Sequence, residues 1–224
     1  MNDKIVIPRQ ARRDRGISAA NNSALRILSS LALAALIGVA AIAGQIGILA
    51  LSVAITSLMI YEWLFMGKLP FWTRAAGTAW LLVVKASAIM MTEKPWVLLL
   101  LLITICATDI GAWFFGRRIK SSQLWTSVSS GKTWGGHIAG MVCGALACFA
   151  AGFLIEGHIM PQLIWIGIGT ATLAQYGDLT ESYFKRRAGV KDSSNLIPGH
   201  GGFLDRFDGW LFILPLTAFI YGVL

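Results

Sequence analysis

The sequence predicts an all-α fold: a polytopic transmembrane helix bundle of about seven spans, with its active site at the cytoplasmic membrane boundary. Three observations carry this. The 224-residue chain is 56% hydrophobic and only 13% charged, against roughly 45–50% and about 25% in soluble domains. Its apolar residues fall in runs of the length needed to cross a bilayer, about 20 residues each. Its cations gather on alternate connections: segments 1–23, 67–74, 115–134 and 181–207 carry 5, 2, 4 and 5 Lys or Arg, 16 of the 19. With seven spans these segments share one side and the other side carries only Lys94, while Arg26 and Lys85 lie inside spans. Positive loops stay cytoplasmic, so the N-terminus is expected inside and the C-terminus outside, in the cytoplasmic (inner) membrane.

Residues 1–23 form a basic tail with Lys4, Arg9, Arg12, Arg13 and Arg15, expected to be a solvated, irregular arm that can touch anionic head groups. The next stretch, to Met66, is almost unbroken apolar sequence and fits two spans, 24–43 and 47–66, turning at Gly44-Gln45 and Gly47. Ala41-Ile42-Ala43 resembles a signal-peptide cleavage site, but the region before it is long and more apolar segments follow at once, so a retained helix is expected. Further spans are expected at 74–91, 95–115 and 135–155, from about 161 to 176, and from about 208 to the C-terminus. The domain organisation read from this is a basic tail (1–23), N-terminal transmembrane helices (24–91) and a catalytic transmembrane domain (92–224). Cys106, Cys143 and Cys148 lie in apolar runs without metal-ligand spacing and read as small core residues. The net charge of +8 sits in loops rather than on a folded soluble surface, so nucleic acid is not an expected partner.

Three polar constellations interrupt this pattern. Asp109 sits late in an apolar span, on one helical face with Ala112, Trp113 and Gly116 by the three-and-four spacing. Intramembrane carboxylates are usually functional; the plainer account is a helix-packing group. Gly131-Lys132-Thr133 resembles a P-loop only in part, because the first Gly is missing at the required spacing and no strand is expected before it. A Gly-rich turn opening a helix can still offer N–H groups to an anion, and an ordinary basic loop explains Lys132 equally well. The stretch 178–209 holds five acids (Asp178, Glu181, Asp192, Asp205, Asp208) and five bases (Lys185, Arg186, Arg187, Lys191, Arg206). Asp178, Glu181, Ser182 and Lys185 align on one face if the sixth helix continues outward. Carboxylates so close together repel unless a cation lies among them, and this mixture of signs suits a metal-bound polyphosphate: carboxylates for Mg²⁺, Lys and Arg for phosphate oxygens. For the bases a membrane-surface charge belt is the alternative, and for His200 a hydrogen bond within its loop.

The same stretch resembles the phosphatidate cytidylyltransferases, also called CDP-diacylglycerol synthases. Ser182 to Asp208 fits the family signature S-x-x-K-R-x4-K-D-x5-P-x-H-G-G-x-x-D-R-x-D without a gap. Gly177-Asp178, Glu181, residues 109–117 and Lys132-Thr133-Trp134 are also similar to the family, with Ser130 and Gly135 where it usually has Pro and Glu. The resemblance covers roughly residues 96–224; the N-terminal half is shorter than is usual in the family and carries no motif. It implies the reaction of CTP with phosphatidate to give CDP-diacylglycerol and pyrophosphate. It also implies Mg²⁺ as cofactor, with a second cation left open, on Asp178, Asp205 and Asp208. Lys132, Lys185, Arg186, Lys191 and Arg206 are then candidates for phosphate oxygens. Asp109 is expected to orient a ligand, a lysine or metal-bound water, and His200 to donate to the leaving pyrophosphate. The expected partners are CTP, phosphatidate and membrane lipid, with a homodimer left open. The alternatives are a CTP-dependent kinase of a lipid alcohol and, from another class, a transporter using Asp109 and Lys85.

Overall fold

The computed structural model describes the backbone of residues 9–223, and the side chains of these except 9–23, 130 and 223. It is mostly helical. In chain order it contains α1 (Arg9–Ile42), α2 (Gly44–Phe65), α3 (Phe71–Met91), α4 (Pro95–Gly116), β1 (Gln123–Trp125), β2 (Ser129–Thr133), α5 (Trp134–Glu156), α6 (Gln162–Ala188), α7 (Leu204–Phe207) and α8 (Trp210–Val223).

Five of these are long and apolar enough to cross a membrane: Ala24–Ile42 within α1, and α2, α3, α4 and α5. The two remaining expected spans differ for physical reasons. In α6 the last third is polar, from Asp178 to Arg187. α8 has 14 residues and an internal Pro215, so at about 1.5 Å per residue it falls short of a hydrocarbon core of about 30 Å. The expected irregular N-terminal arm is helical from Arg9, where α1 begins; residues 1–8 of that arm lie outside the described residues.

Helix ends follow local chemistry. Pro70 and Pro161 precede α3 and α6, and Pro95 opens α4, where a missing N–H costs nothing. Gly157 and Gly189 close α5 and α6 in the left-handed conformation that glycine adopts without penalty. The largest buried cluster joins Met59, Trp63 and Met66 to Val84 and Met91 of α3 and to Leu204 and Leu211. α2 and α3 therefore pack against α7 and α8, while α4, α5 and α6 pack among themselves, as at Gly144, whose missing side chain lets α5 reach Thr108 and Ala171. Apolar side chains of α1 such as Ile27, Leu28, Val39 and Ile42 stay 62–89% exposed, as lipid-facing residues would.

One feature departs from an all-α expectation. The basic 115–134 connection folds into an antiparallel hairpin, pairing Gln123 with Thr133 and Trp125 with Ser129. A strand thus does run into α5, although Lys132 lies on the strand itself. Three of the basic connections, 67–74, 115–134 and 181–207, meet at one end of the bundle, beside Arg26 of α1. Lys68 N donates to Ala188 O at 3.1 Å, Trp125 stacks on Tyr183, and Arg26 Nε donates to Gly199 O at 3.0 Å.

Candidate active site

The polar extension of α6 carries the expected face: Asp178, Glu181, Ser182 and Lys185 follow one another on a continuous helix. Gly177 brings this face against the start of α8, because a Cβ there would run into the backbone oxygen of Asp208. The consequence is a cluster of Asp178, Glu181 and Asp208, each offering a carboxylate oxygen within 4.8 Å of the others. Lys132 pairs with Asp178 across from the hairpin. Lys185 lies between two buried carboxylates, 2.5 Å from Glu181 Oε2 and 2.5 Å from Asp205 Oδ1.

The structure separates two acids that the sequence groups together. Asp205, expected beside Asp178 and Asp208 as a metal ligand, has both oxygens engaged elsewhere. Oδ1 accepts from Lys185, and Oδ2 accepts from the backbone N–H groups of Ser193 at 2.9 Å and Gly202 at 2.8 Å. Burial alone would raise this carboxyl; the Lys185 and Gly202 hydrogen bonds outweigh it and hold Asp205 below the usual carboxylate range. The third member of the acid cluster is instead Glu181, 2% exposed. It is ion-paired to Lys185 through Oε2. The i, i+3 spacing from Asp178 was the signal for it.

The cluster suits a divalent cation. Three carboxylates converge in a half-buried setting, and such hard oxygen donors are the usual ligands of Mg²⁺. Asp208, which precedes α8, shows the strain of leaving these charges together. Its pKa is driven well up, first by burial and then by the charges of Asp178, Glu181 and Asp109, so a cation among them would stabilise the charged form.

Two cavities flank the cluster. One of about 600 Å³ is lined by Asp109, Trp113, Arg117, Lys132, Gln175 and Asp178, which puts Asp109 and Asp178 on one cavity. The other, about 640 Å³, is walled by Trp63, Trp80, Phe184, Leu204 and Leu211 and reaches Glu181.

The remaining expected site residues do not converge on the acids. Arg186 Nη1 donates to Val190 O beyond the end of its own helix, Lys191 is exposed at the start of the following loop, and Arg206 donates twice to His200 O. His200 faces α1, with Nδ1 2.7 Å from Ser29 Oγ; burial and the nearby Arg206 and Arg26 charges lower its pKa. Nor does the start of α5 offer the expected anion cradle. Trp134 N donates to Ser122 O, Gly135 N to Ser121 Oγ and Gly136 N to Thr133 Oγ1, at 2.8–3.2 Å. Those donors are already spent on closing the hairpin.

Fold and site together define a polytopic helical membrane protein with an ion-paired acid cluster at the basic end of its bundle. Residues 76–224 match the sequence model of the cytidylyltransferase family, and the chain belongs to that family. It is 41% identical over 115 residues to a phosphatidate cytidylyltransferase of Staphylococcus haemolyticus, covering 51% of this chain and 44% of that protein. It is 42% identical over 113 residues to one of Staphylococcus aureus, covering 49% and 42%. The matched part therefore spans under half the length of these relatives.

Proposed function

We propose that the protein transfers the cytidylyl group of CTP to phosphatidate, releasing pyrophosphate and forming CDP-diacylglycerol. The observation that carries this is the position of the acid cluster: one side opens to a polar cavity holding Lys132 and Asp109, the other to an aromatic, apolar cavity. A nucleotide and a lipid can approach it from different sides. The names of the relatives and the family membership point the same way.

In the reaction a phosphate oxygen of the lipid attacks the α-phosphorus of CTP, and the bond from that phosphorus to the bridging oxygen of pyrophosphate breaks. A phosphate monoester is ionised at neutral pH, so no strong general base is needed. The obstacle is bringing two anions together. Lys132, on the rim of the polar cavity, is placed to bind phosphate oxygens, and Lys185 holds Glu181 and Asp205 in register from behind. Asp109 orients Lys132 or the bound nucleotide. Asp178, Glu181 and Asp208 would hold Mg²⁺, which neutralises phosphate charge when bound; a second cation is compatible with the same donors.

We further infer seven crossings, with α6 and α8 completing the bundle, the N-terminus and the site on the cytoplasmic side, and the inner membrane as location. The gathering of basic connections at one end supports this. The transporter alternative is less well supported: Lys85 is satisfied by Ser57 Oγ of α2 at 2.8 Å, and the acids gather at one end rather than along a path.

The test is incubation of the purified protein with phosphatidate, Mg²⁺ and CTP labelled on its α-phosphate. Label in a lipid product is expected. Label recovered only in CDP, with a phosphorylated lipid alcohol when one is supplied, would replace this function with that of a γ-kinase.

A further inference from the structure

Glu62 lies on α2, in the half of the chain without a motif, and is 1% exposed. Burying a carboxylate is costly unless donors surround it. Here four do. Oε1 accepts from Ser194 Oγ at 2.6 Å and Phe203 N at 2.8 Å, and Oε2 from Leu204 N at 2.6 Å and Ser193 Oγ at 3.0 Å. All four donors come from one segment, 131–142 residues away in sequence. Among the described residues no Lys or Arg forms an ion pair with Glu62. Its charge is balanced by this loop alone.

What the loop carries gives the contact its meaning. Phe203 precedes and Leu204 opens α7, the short helix that bears Asp205 and is followed by Asp208. Ser193, bonded to Glu62, also donates its N–H to Asp205 Oδ2. Asp205 holds Lys185, and Lys185 holds Glu181 of the acid cluster. Gly202 completes the fit, because a Cβ at that position would run into Ser193 Oγ and both oxygens of Glu62. One carboxylate of α2 thus anchors both ends of the loop, and α7 leaves that anchor in a set direction.

We propose that Glu62 is a positioning residue for the transfer reaction: by anchoring the 193–204 loop it sets Asp205 and Asp208 against Glu181 and Asp178. This rests on the function proposed above. A merely structural Glu62 would affect how much protein folds and inserts. A positioning Glu62 changes the turnover of each folded molecule.

The test uses the full chain purified in detergent, as wild type, Glu62→Gln and Ser194→Ala. The glutamine keeps the shape and replaces one accepting oxygen with an amide nitrogen. Amide hydrogen exchange is measured without CTP or Mg²⁺, and kcat, the KM for CTP and thermal melting are measured alongside. For Glu62→Gln, loop 193–204 is expected to exchange at least about tenfold faster while α4 and α5 keep wild-type exchange. Its kcat should fall by about tenfold or more with KM for CTP changed less than about threefold, as expected when one or two charge-assisted hydrogen bonds are lost. Ser194→Ala should move both readouts in the same direction by less, and it carries the test if Glu62→Gln is not recovered folded. Wild-type loop exchange, or a lower melting temperature with unchanged kcat per folded molecule, in whichever variant is read, overturns the proposal. If wild type itself forms no labelled lipid, the function proposed above fails, whereas the exchange measurement still decides whether Glu62 anchors the loop.

Discussion

The two halves of the molecule contribute in different currencies. α4 to α8 and the hairpin carry every member of the acid cluster and both lysines that pair with it. α1 to α3 carry none, yet they hold the loop on which Asp205 and Asp208 depend. Glu62 does so through four hydrogen bonds and Arg26 and Ser29 through Gly199 and His200, while the α2–α3 connection holds the end of α6 through Ala188. Chemistry demands particular groups at particular spacings and leaves a motif. Support demands only an acceptor or an apolar surface at the right point in space, which many sequences can supply.

The largest expected effect lies in the C-terminal half. Asp208→Asn keeps the shape of the cluster and removes a charge; nucleotidyl transfer should fall almost to background while the protein still inserts, and residual activity should need more Mg²⁺. Wild-type rate and wild-type Mg²⁺ dependence in that variant would remove Asp208 from the site.

The two lysines sharpen the contrast within that half. Lys185→Met strands Glu181 and Asp205, whose side chains are 1% and 6% exposed; losing one partner of a buried pair costs about 3–5 kcal/mol, so melting temperature and activity should drop together. Lys132 and Asp178 are 27% and 39% exposed. Lys132→Met should therefore cost little stability but on the order of tenfold to a hundredfold in use of CTP, the worth of one charge-assisted contact. Equal melting of the two variants would show that the Lys185 pairs are not structural.

Arg26→Ala tests the N-terminal half at an exposed contact. Exposed polar contacts contribute roughly 1 kcal/mol or less, so transfer should stay within about threefold of wild type. A loss as large as that of Lys132→Met would make α1 a part of the catalytic machinery.

The smallest effect is a pH dependence at His200. Its pKa is lowered in the folded state, so as pH falls the unfolded chain takes up this proton first. The stability it contributes is complete above the unfolded value, about 6.5, and is lost as pH falls from there through the folded one. His200→Gln should flatten that part of the acid-side decline in melting temperature. An identical decline in wild type and variant would show that the imidazole is solvated as in the unfolded chain.

Local chemistry made much of this legible. Apolar runs marked the apolar parts of the helices to within a few residues, though not the start of α1 at Arg9 or the polar end of α6, and the three-and-four spacing aligned Asp178, Glu181 and Lys185. The hairpin was missed because a three-residue and a five-residue strand are too short and polar to show a period. Choosing between Asp205 and Glu181 required knowing where the Lys185 ammonium lies, since Lys185 is one turn from Glu181 in sequence but reaches Asp205 only through the fold.

What the sequence by itself determined is the bundle, the clustering of basic connections on one side, and the kinds of group in the site, because burial of apolar runs and helical spacing act over a few turns. Only the tertiary structure decided which carboxylates converge, which are spent on the loop, and that a glutamate from α2 holds that loop in place. Those outcomes depend on contacts closed through the fold, the last of them on hydrogen bonds across more than a hundred residues of intervening chain, and no local pattern records them.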